Sequence, residues 1–229
     1  MAYSKETIIK VMKKANEVTK MYREKGLGAI NICISRGNKK IGYVLNVSLM
    51  PIMSCGNCKE CQKLCYDIKA CAMYSGVIPA RVRNTILAMD YRDVYFSEID
   101  KKCTRRKKNK MFRWHVAGDI LDKDYLSRMC EIAIRHPDFR FWTYTKMYDL
   151  VNEYCDTHGG KSAIPENLTI LFSEWRGVPM DNRYGFPEFT VRFKGEPAPD
   201  LHCCPGNCDV CKATHRGCPY GESSYVDEH

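Results

Sequence analysis

The chain is 229 residues long, carries 36 Lys and Arg against 27 Asp and Glu for a net charge of +9, and contains 14 cysteines. No run of about 18 apolar residues occurs, so no helix is expected to span a membrane. The polar opening MAYSKETIIKVMKK also lacks the apolar stretch of an export signal. The expected protein is therefore cytoplasmic, and large enough to bury a core without disulfides.

The first element is a helix over Lys5 to Lys25, where Ile8, Met12, Ala15, Val18 and Tyr22 recur at helical spacing and Gly26 ends the run. Ala29–Ile34 and Ile41–Leu49 read as strands of a hairpin around Arg36-Gly37-Asn38. Directly after the second strand comes Cys55-Gly-Asn-Cys58-Lys-Glu-Cys61-Gln-Lys-Leu-Cys65, with Cys71 beyond it. Pro79 opens a helical stretch from Ala80 to Ile99. The segment Lys101–Lys110 then holds seven positive residues in ten, including Arg105, Arg106, Lys107 and Lys108. Such a run attracts phosphate backbones, although solvated surface loops use the same composition.

Strand Met111–Ala117, helix Lys123–Arg135, strand Phe139–Tyr144, helix Met147–Cys155 and strands Leu168–Phe172 and Phe189–Phe193 follow. Alternation of strands with helices implies right-handed crossovers and a parallel sheet. The expected fold is α/β, a partial or open (β/α) barrel over residues 1–196 with an N-terminal helix and a β-hairpin. A Cys-rich tail, 197–229, packs on the same domain. No G-x-G-x-x-G follows a strand, so a dinucleotide site is unsupported. In such sheets function gathers at the carboxyl ends of strands, which selects His115, Asp119, Lys146 and Glu174 as substrate-binding candidates. Each also has an ordinary use, as a core histidine, a helix cap or a solvated charge.

Ten of the fourteen cysteines lie in two clusters, Cys55–Cys71 and Cys203–Cys218. In a reducing compartment, spacing this tight reads as metal binding. C-x2-C-x2-C-x3-C over Cys55, Cys58, Cys61 and Cys65 is the spacing of the bacterial ferredoxin run, without the usual proline after the fourth cysteine. Cys204, Cys208 and Cys211 form C-x3-C-x2-C, the spacing of radical S-adenosylmethionine enzymes, and Cys218 adds a fourth thiolate. One or two iron–sulfur clusters, of the 4Fe-4S type, are expected. Four-cysteine zinc suits the same donors. The two clusters form either one structural unit or two independent sites.

Leu45-Asn46-Val47-Ser48-Leu49, Cys65-Tyr66-Asp67, Arg81-x-x-Asn84, Phe112-Arg113-Trp114-His115-x-x-Gly118-Asp119, Phe141-x-x-Tyr144-Thr145-Lys146 and Ser173-x-Trp175 together resemble the gene-88 product family of phages and mobile elements. More distantly, the arrangement is similar to the radical S-adenosylmethionine barrel. There too a cysteine loop ending in Cys-Tyr follows the first strand, and later strands end in Gly-Asp and Thr-Lys. That likeness implies a cluster held among Cys55–Cys65. The chain departs from the barrel in its loop spacing and in lacking a Gly-Gly-Glu-type strand for S-adenosylmethionine.

Two functions follow. One is an iron–sulfur protein of a phage or mobile element with redox or radical chemistry near the cluster. The other is a protein with structural zinc, or a fully ligated cluster, that binds nucleic acid or a host protein through its basic face.

Overall fold

Helix α1 (Lys5–Lys25) starts where the Ser4 hydroxyl accepts the Thr7 N–H at 3.1 Å and stops at Gly26, whose φ of 74° suits glycine. Its stripe Ile8, Val11, Ala15 and Val18 is buried, and the helix packs on α2 (Tyr66–Met73) and α3 (Val77–Asp90). The remaining helices are α4 (Arg92–Thr104), α5 (Lys123–Arg135), α6 (Tyr148–Thr157) and α7 (Cys208–Thr214). The strands are β1 (Leu45–Asn46), β2 (Met111–Arg113), β3 (Arg140–Thr145), β4 (Leu168–Ser173), β5 (Glu188–Arg192), β6 (His202–Cys203) and β7 (Ser224–Asp227). This computed structural model describes residues 4–39, 41–56 and 61–228.

The seven strands pair in the order β1-β2-β3-β4-β5-β7-β6, every pair parallel, and form a half-barrel. Side chains alternate across it. Phe112, Phe141, Ile170 and Phe172 point to the helices and join the main core. Met111, Trp142 and Leu171 point to the inner face. There they meet Val44, Tyr144, Phe189 and two tail cysteines, Cys208 and Cys218. The tail thus fills the inside of the half-barrel, and through β6 and β7 it completes the sheet. Among the described residues no helix is long and apolar enough to cross a membrane.

Three expectations change. The hairpin is reduced to two isolated bridges, Ser35↔Asn46 and Asn38↔Gly42. Asn84, fully buried, takes the backbone N–H and C=O of Cys33 at 2.7 and 3.0 Å, so no partner strand can use them. The helix expected over Ala80–Ile99 is two helices, broken at Tyr91 (φ −138°, ψ 52°). The strand expected to run to Ala117 ends at Arg113. Trp114 and Val116 still bond Trp142 and Val47, but His115 takes φ 49° and breaks the extended run.

Asp67 and Arg81, both in the family-like motifs, form a two-pronged ion pair at 3.1 and 3.2 Å beneath the first cysteine loop, with Asp67 2% exposed. Arg81→Met strands that carboxylate. We expect a loss of about 3–5 kcal/mol in urea unfolding; an unchanged midpoint would show that Asp67 is satisfied without Arg81.

Candidate functional site

The carboxyl ends of β1, β2 and β3 converge on a cavity of about 400 Å³, lined by Ser54, Cys55, Met89, Arg92, Asp122 and Met147 among others. That is within the range of small-molecule sites. The first cysteine loop forms one wall, and a Cβ on Gly56 would lie 2.5 Å from Met147 Sδ, so that flexible side chain would have to move. Cys61 lies close enough to Tyr148 and to Cys65 for its charge to bear on both. Burial raises the Cys65 thiol pKa above the ordinary value. Cys58 lies outside the described residues. Cys71 is in α2, buried and directed at Asp67 Oδ2 at 3.9 Å. It packs with the ion pair rather than with the loop.

The four strand-end candidates have different fates. His115 is 3% exposed, and its ring nitrogens bond Thr143 Oγ1 at 3.2 Å and Tyr125 Oη at 3.0 Å. Burial lowers its pKa to about 3, so it is a neutral core histidine. Asp119 is also buried and ties two strand ends together. Its Oδ1 accepts Ile120 N–H at 2.7 Å and Thr145 Oγ1–H at 2.6 Å, and its Oδ2 accepts Lys146 N–H at 3.0 Å. Burial outweighs these bonds and raises its pKa. Gly118 holds φ 91° beside it, and a Cβ there would lie 2.7 Å from Leu49 Cβ and Ser54 Oγ. Lys146 does face the mouth: Nζ donates to Ser173 Oγ at 3.1 Å and lies 5.4 Å from the Trp175 ring. Glu174 is exposed at the end of β4. Lys146 and Glu174 thus lie at the ends of β3 and β4, His115 and Asp119 are buried, and none of the four lines the 400 Å³ cavity.

The tail cysteines form a second place of interest. Asn207 caps α7, and Cys208 N–H donates to Ile41 O at 3.1 Å while Asp209 accepts Tyr43 N–H at 2.9 Å. The tail is thereby clipped to the segment before β1, not to the loop at Cys55. Cys204, Cys208, Cys211 and Cys218 are near enough to influence one another's charge. Burial raises the thiols of Cys208 and Cys211 to about 11 and 12. Burial also raises Cys218, against the pull of hydrogen bonds from Tyr144 and Ser224. Among the described residues, no three His, Cys, Asp or Glu side chains are gathered tightly enough to hold an ion as they stand.

What surrounds these thiols was not expected from sequence. Arg113 projects from β2 onto the inner face, 4.8 Å from the Tyr144 ring, with no carboxylate partner among the described residues. Burial opposes its charge, but the acidic groups of Tyr144, Tyr66, Cys208 and Cys218 outweigh it and raise its pKa. Nine buried side-chain polar atoms lack a hydrogen-bond partner among the described residues. Three of them, Arg113 Nε, Trp142 Nε1 and His202 Nε2, belong to side chains packed about the tail thiols. Buried polar groups are normally satisfied, so the three that fall together here are unusual. Cys203, by contrast, is exposed, outside the set.

The basic run lies before β2, at the strand ends opposite the first cysteine loop. Arg105, Lys107 and Lys108 are exposed. Arg106 Nη2 and Asn109 Nδ2 instead donate to Tyr43 O at 3.4 and 2.6 Å, so this part of the run braces the fold.

Residues 12–178 match the family described as Gene product 88. A relative called Gene 88 protein, from Mycobacterium phage L5, is 28% identical over 123 residues, 48% of this chain and 51% of that protein. Another, also called Gene 88 protein, from Mycobacterium phage D29, is 24% identical over 160 residues, 62% of this chain and 66% of that protein. The chain thus spans about half of the first and just under two thirds of the second. No solved structure matches. The family match takes in Cys55–Cys65, the Asp67–Arg81 pair and the strand-end residues, and stops before the tail thiols.

Because His115 is held neutral, the unfolded chain binds one more proton than the folded chain between about pH 6.5 and about 3. Its contribution to stability is complete above pH 6.5 and falls as the pH drops, by about 1.4 kcal/mol per pH unit. Urea midpoints at pH 7 and pH 5 check this: His115→Asn should flatten the difference, and an equally steep loss in that variant would remove His115 as its source.

Proposed function

The chain belongs to the gene product 88 family, and from that footing we propose that it is a metal–thiolate protein carrying an iron–sulfur cluster inside its half-barrel. Cys204, Cys208, Cys211 and Cys218 are the ligands in this reading. The observation that carries it is the environment of those thiols: a half-buried cation with no carboxylate partner among the described residues, and buried N–H groups of Arg113 Nε and Trp142 Nε1 that have no hydrogen-bond partner among them. A cluster with four thiolates is an anion rich in sulfur acceptors, and hydrogen bonds to its sulfurs are a known control of its potential. Tetrahedral zinc offers only the four thiolate sulfurs, so it uses fewer of the donors present.

The loop of Cys55, Cys58, Cys61 and Cys65 would hold a second metal group at the mouth, beside the 400 Å³ cavity. A cluster there supplies electron transfer or radical chemistry when an iron position is open. The residues that would receive a substrate are Lys146, through its ammonium, and Trp175, whose ring lies beneath it. Such thiolate chemistry suits the reducing cytoplasm of a host cell.

A second reading has its own observation. Arg105, Lys107 and Lys108 are exposed and have no ion pairs among the described residues, as expected of a surface that meets nucleic-acid phosphates.

Protein purified without oxygen should be brown, with iron and acid-labile sulfide, and Cys208→Ala should lose part of both. Colourless protein with stoichiometric zinc would replace the cluster by structural zinc. For the basic surface, replacing Arg105, Lys107 and Lys108 with Ala should reduce the slope of log K against log salt for DNA by about 2 to 3. An unchanged slope leaves those residues as solvated charge.

A further inference from the structure

Tyr43, just ahead of β1, is an exposed aromatic residue on a fixed stem. It is 55% exposed, whereas Val44 beside it is fully buried. Its peptide is held from two other parts of the chain. The N–H donates to Asp209 Oδ2 at 2.9 Å, and the C=O accepts Asn109 Nδ2 at 2.6 Å and Arg106 Nη2 at 3.4 Å. On the preceding residue, Gly42 (φ 82°), a Cβ would lie 2.8 Å from Asp209 N, so the start of α7 is packed directly on this segment. Three hydrogen bonds therefore fix the backbone that carries a ring the fold does not bury.

The side chains that hold Tyr43 O belong to the basic run. Arg105, Lys107 and Lys108 stand next to them in the chain and are exposed, as are Arg36 and Lys39 shortly before Tyr43. Asn207 Nδ2 donates to Lys39 O at 3.3 Å, which ties that stretch to the same end of α7. Lys110 is different, because it pairs with Asp138. The clamp leaves Arg106 Nε and Asn109 Oδ1 buried with no hydrogen-bond partner among the described residues. That is a local cost of the kind that functional sites carry. Its one carboxylate, Asp209, is directed at the Tyr43 N–H.

We infer that this surface binds single-stranded nucleic acid: the Tyr43 ring is the platform on which an unpaired base stacks, and Arg105, Lys107 and Lys108 contact the phosphates beside it. The inference rests on the reading of the basic run as a nucleic-acid surface and names the form of nucleic acid it takes. Phosphate contacts alone do not distinguish a duplex from a single strand. An exposed ring does, because only an unpaired base offers its face to stacking, and that contact tolerates any sequence. A stem fixed before binding lowers the ordering cost of the contact.

The test is fluorescence anisotropy of the full chain with labelled probes: a mixed-sequence single-stranded DNA, the RNA of the same sequence, and the DNA duplex. Wild type should bind a single strand, DNA or RNA, at least about tenfold more tightly than the duplex. Tyr43→Ala should lose about tenfold on that strand and leave duplex affinity and the salt slope unchanged, since it removes stacking and no phosphate contact. Tyr43→Trp, which keeps a stacking face, should retain the binding. Replacing Arg105, Lys107 and Lys108 with Ala should instead lower the salt slope on every probe. Unchanged single-strand binding in Tyr43→Ala, or equal losses on single strand and duplex, would overturn the inference. If the triple variant still lowers the slope, the basic run then stands as a general phosphate surface. Failure of the wild type to bind any probe is a separate outcome, which removes the basic-surface reading and this inference with it.

Discussion

A half-barrel has an inner face that helices do not reach, and this chain makes that face apolar with Met111, Trp142 and Leu171. Something must cover it. Here the cover is the tail, which enters with Cys218 and Cys208 against those side chains and pairs β7 with β5 on the way out. Closing the open side of the sheet and bringing four thiols together are therefore one event. The burial that stabilises the cover also raises the pKa values of the Cys208, Cys211 and Cys218 thiols.

Arg113 gives this cover its chemical character. Its guanidinium faces phenols and thiols and has no carboxylate partner among the described residues, an arrangement that costs desolvation without an ion pair to offset it. It stands between the two cysteine sets in the electrostatic sense. Tyr66, next to Cys65, lies on one side, and Cys208 and Cys218 lie on the other. The loop at the mouth and the tail inside the half-barrel are distinct places, and Arg113 is within electrostatic reach of Tyr66 as well as of Cys208 and Cys218.

Much of this was legible in the sequence where one strong local signal acted. The helix Lys123–Arg135 has the bounds its sequence pattern predicts, although the aspartate that caps it is Asp122 and not Asp119, and the alternation of strands and helices predicted the parallel sheet. The cysteine spacings located both thiol sets. Other features needed three-dimensional information. The run from Trp114 to Ala117 keeps strand-like bonds but turns at His115, which no periodicity announces. The strands His202–Cys203 and Ser224–Asp227 are short and polar, and they exist because an edge of the sheet accepts them. Of the strand-end candidates, His115 and Asp119 have sequences suited to chemistry and environments suited to support. The motif Arg81-x-x-Asn84 entered only through the family resemblance, and its residues hold backbone and a buried carboxylate in place.

The most direct measurement is an anomalous-scattering map at the iron edge from crystals of the full chain grown without oxygen. The account predicts a strong peak on the inner face of the half-barrel, among Arg113, Trp142, Cys208 and Cys218. A map without iron or zinc at that position would contradict it.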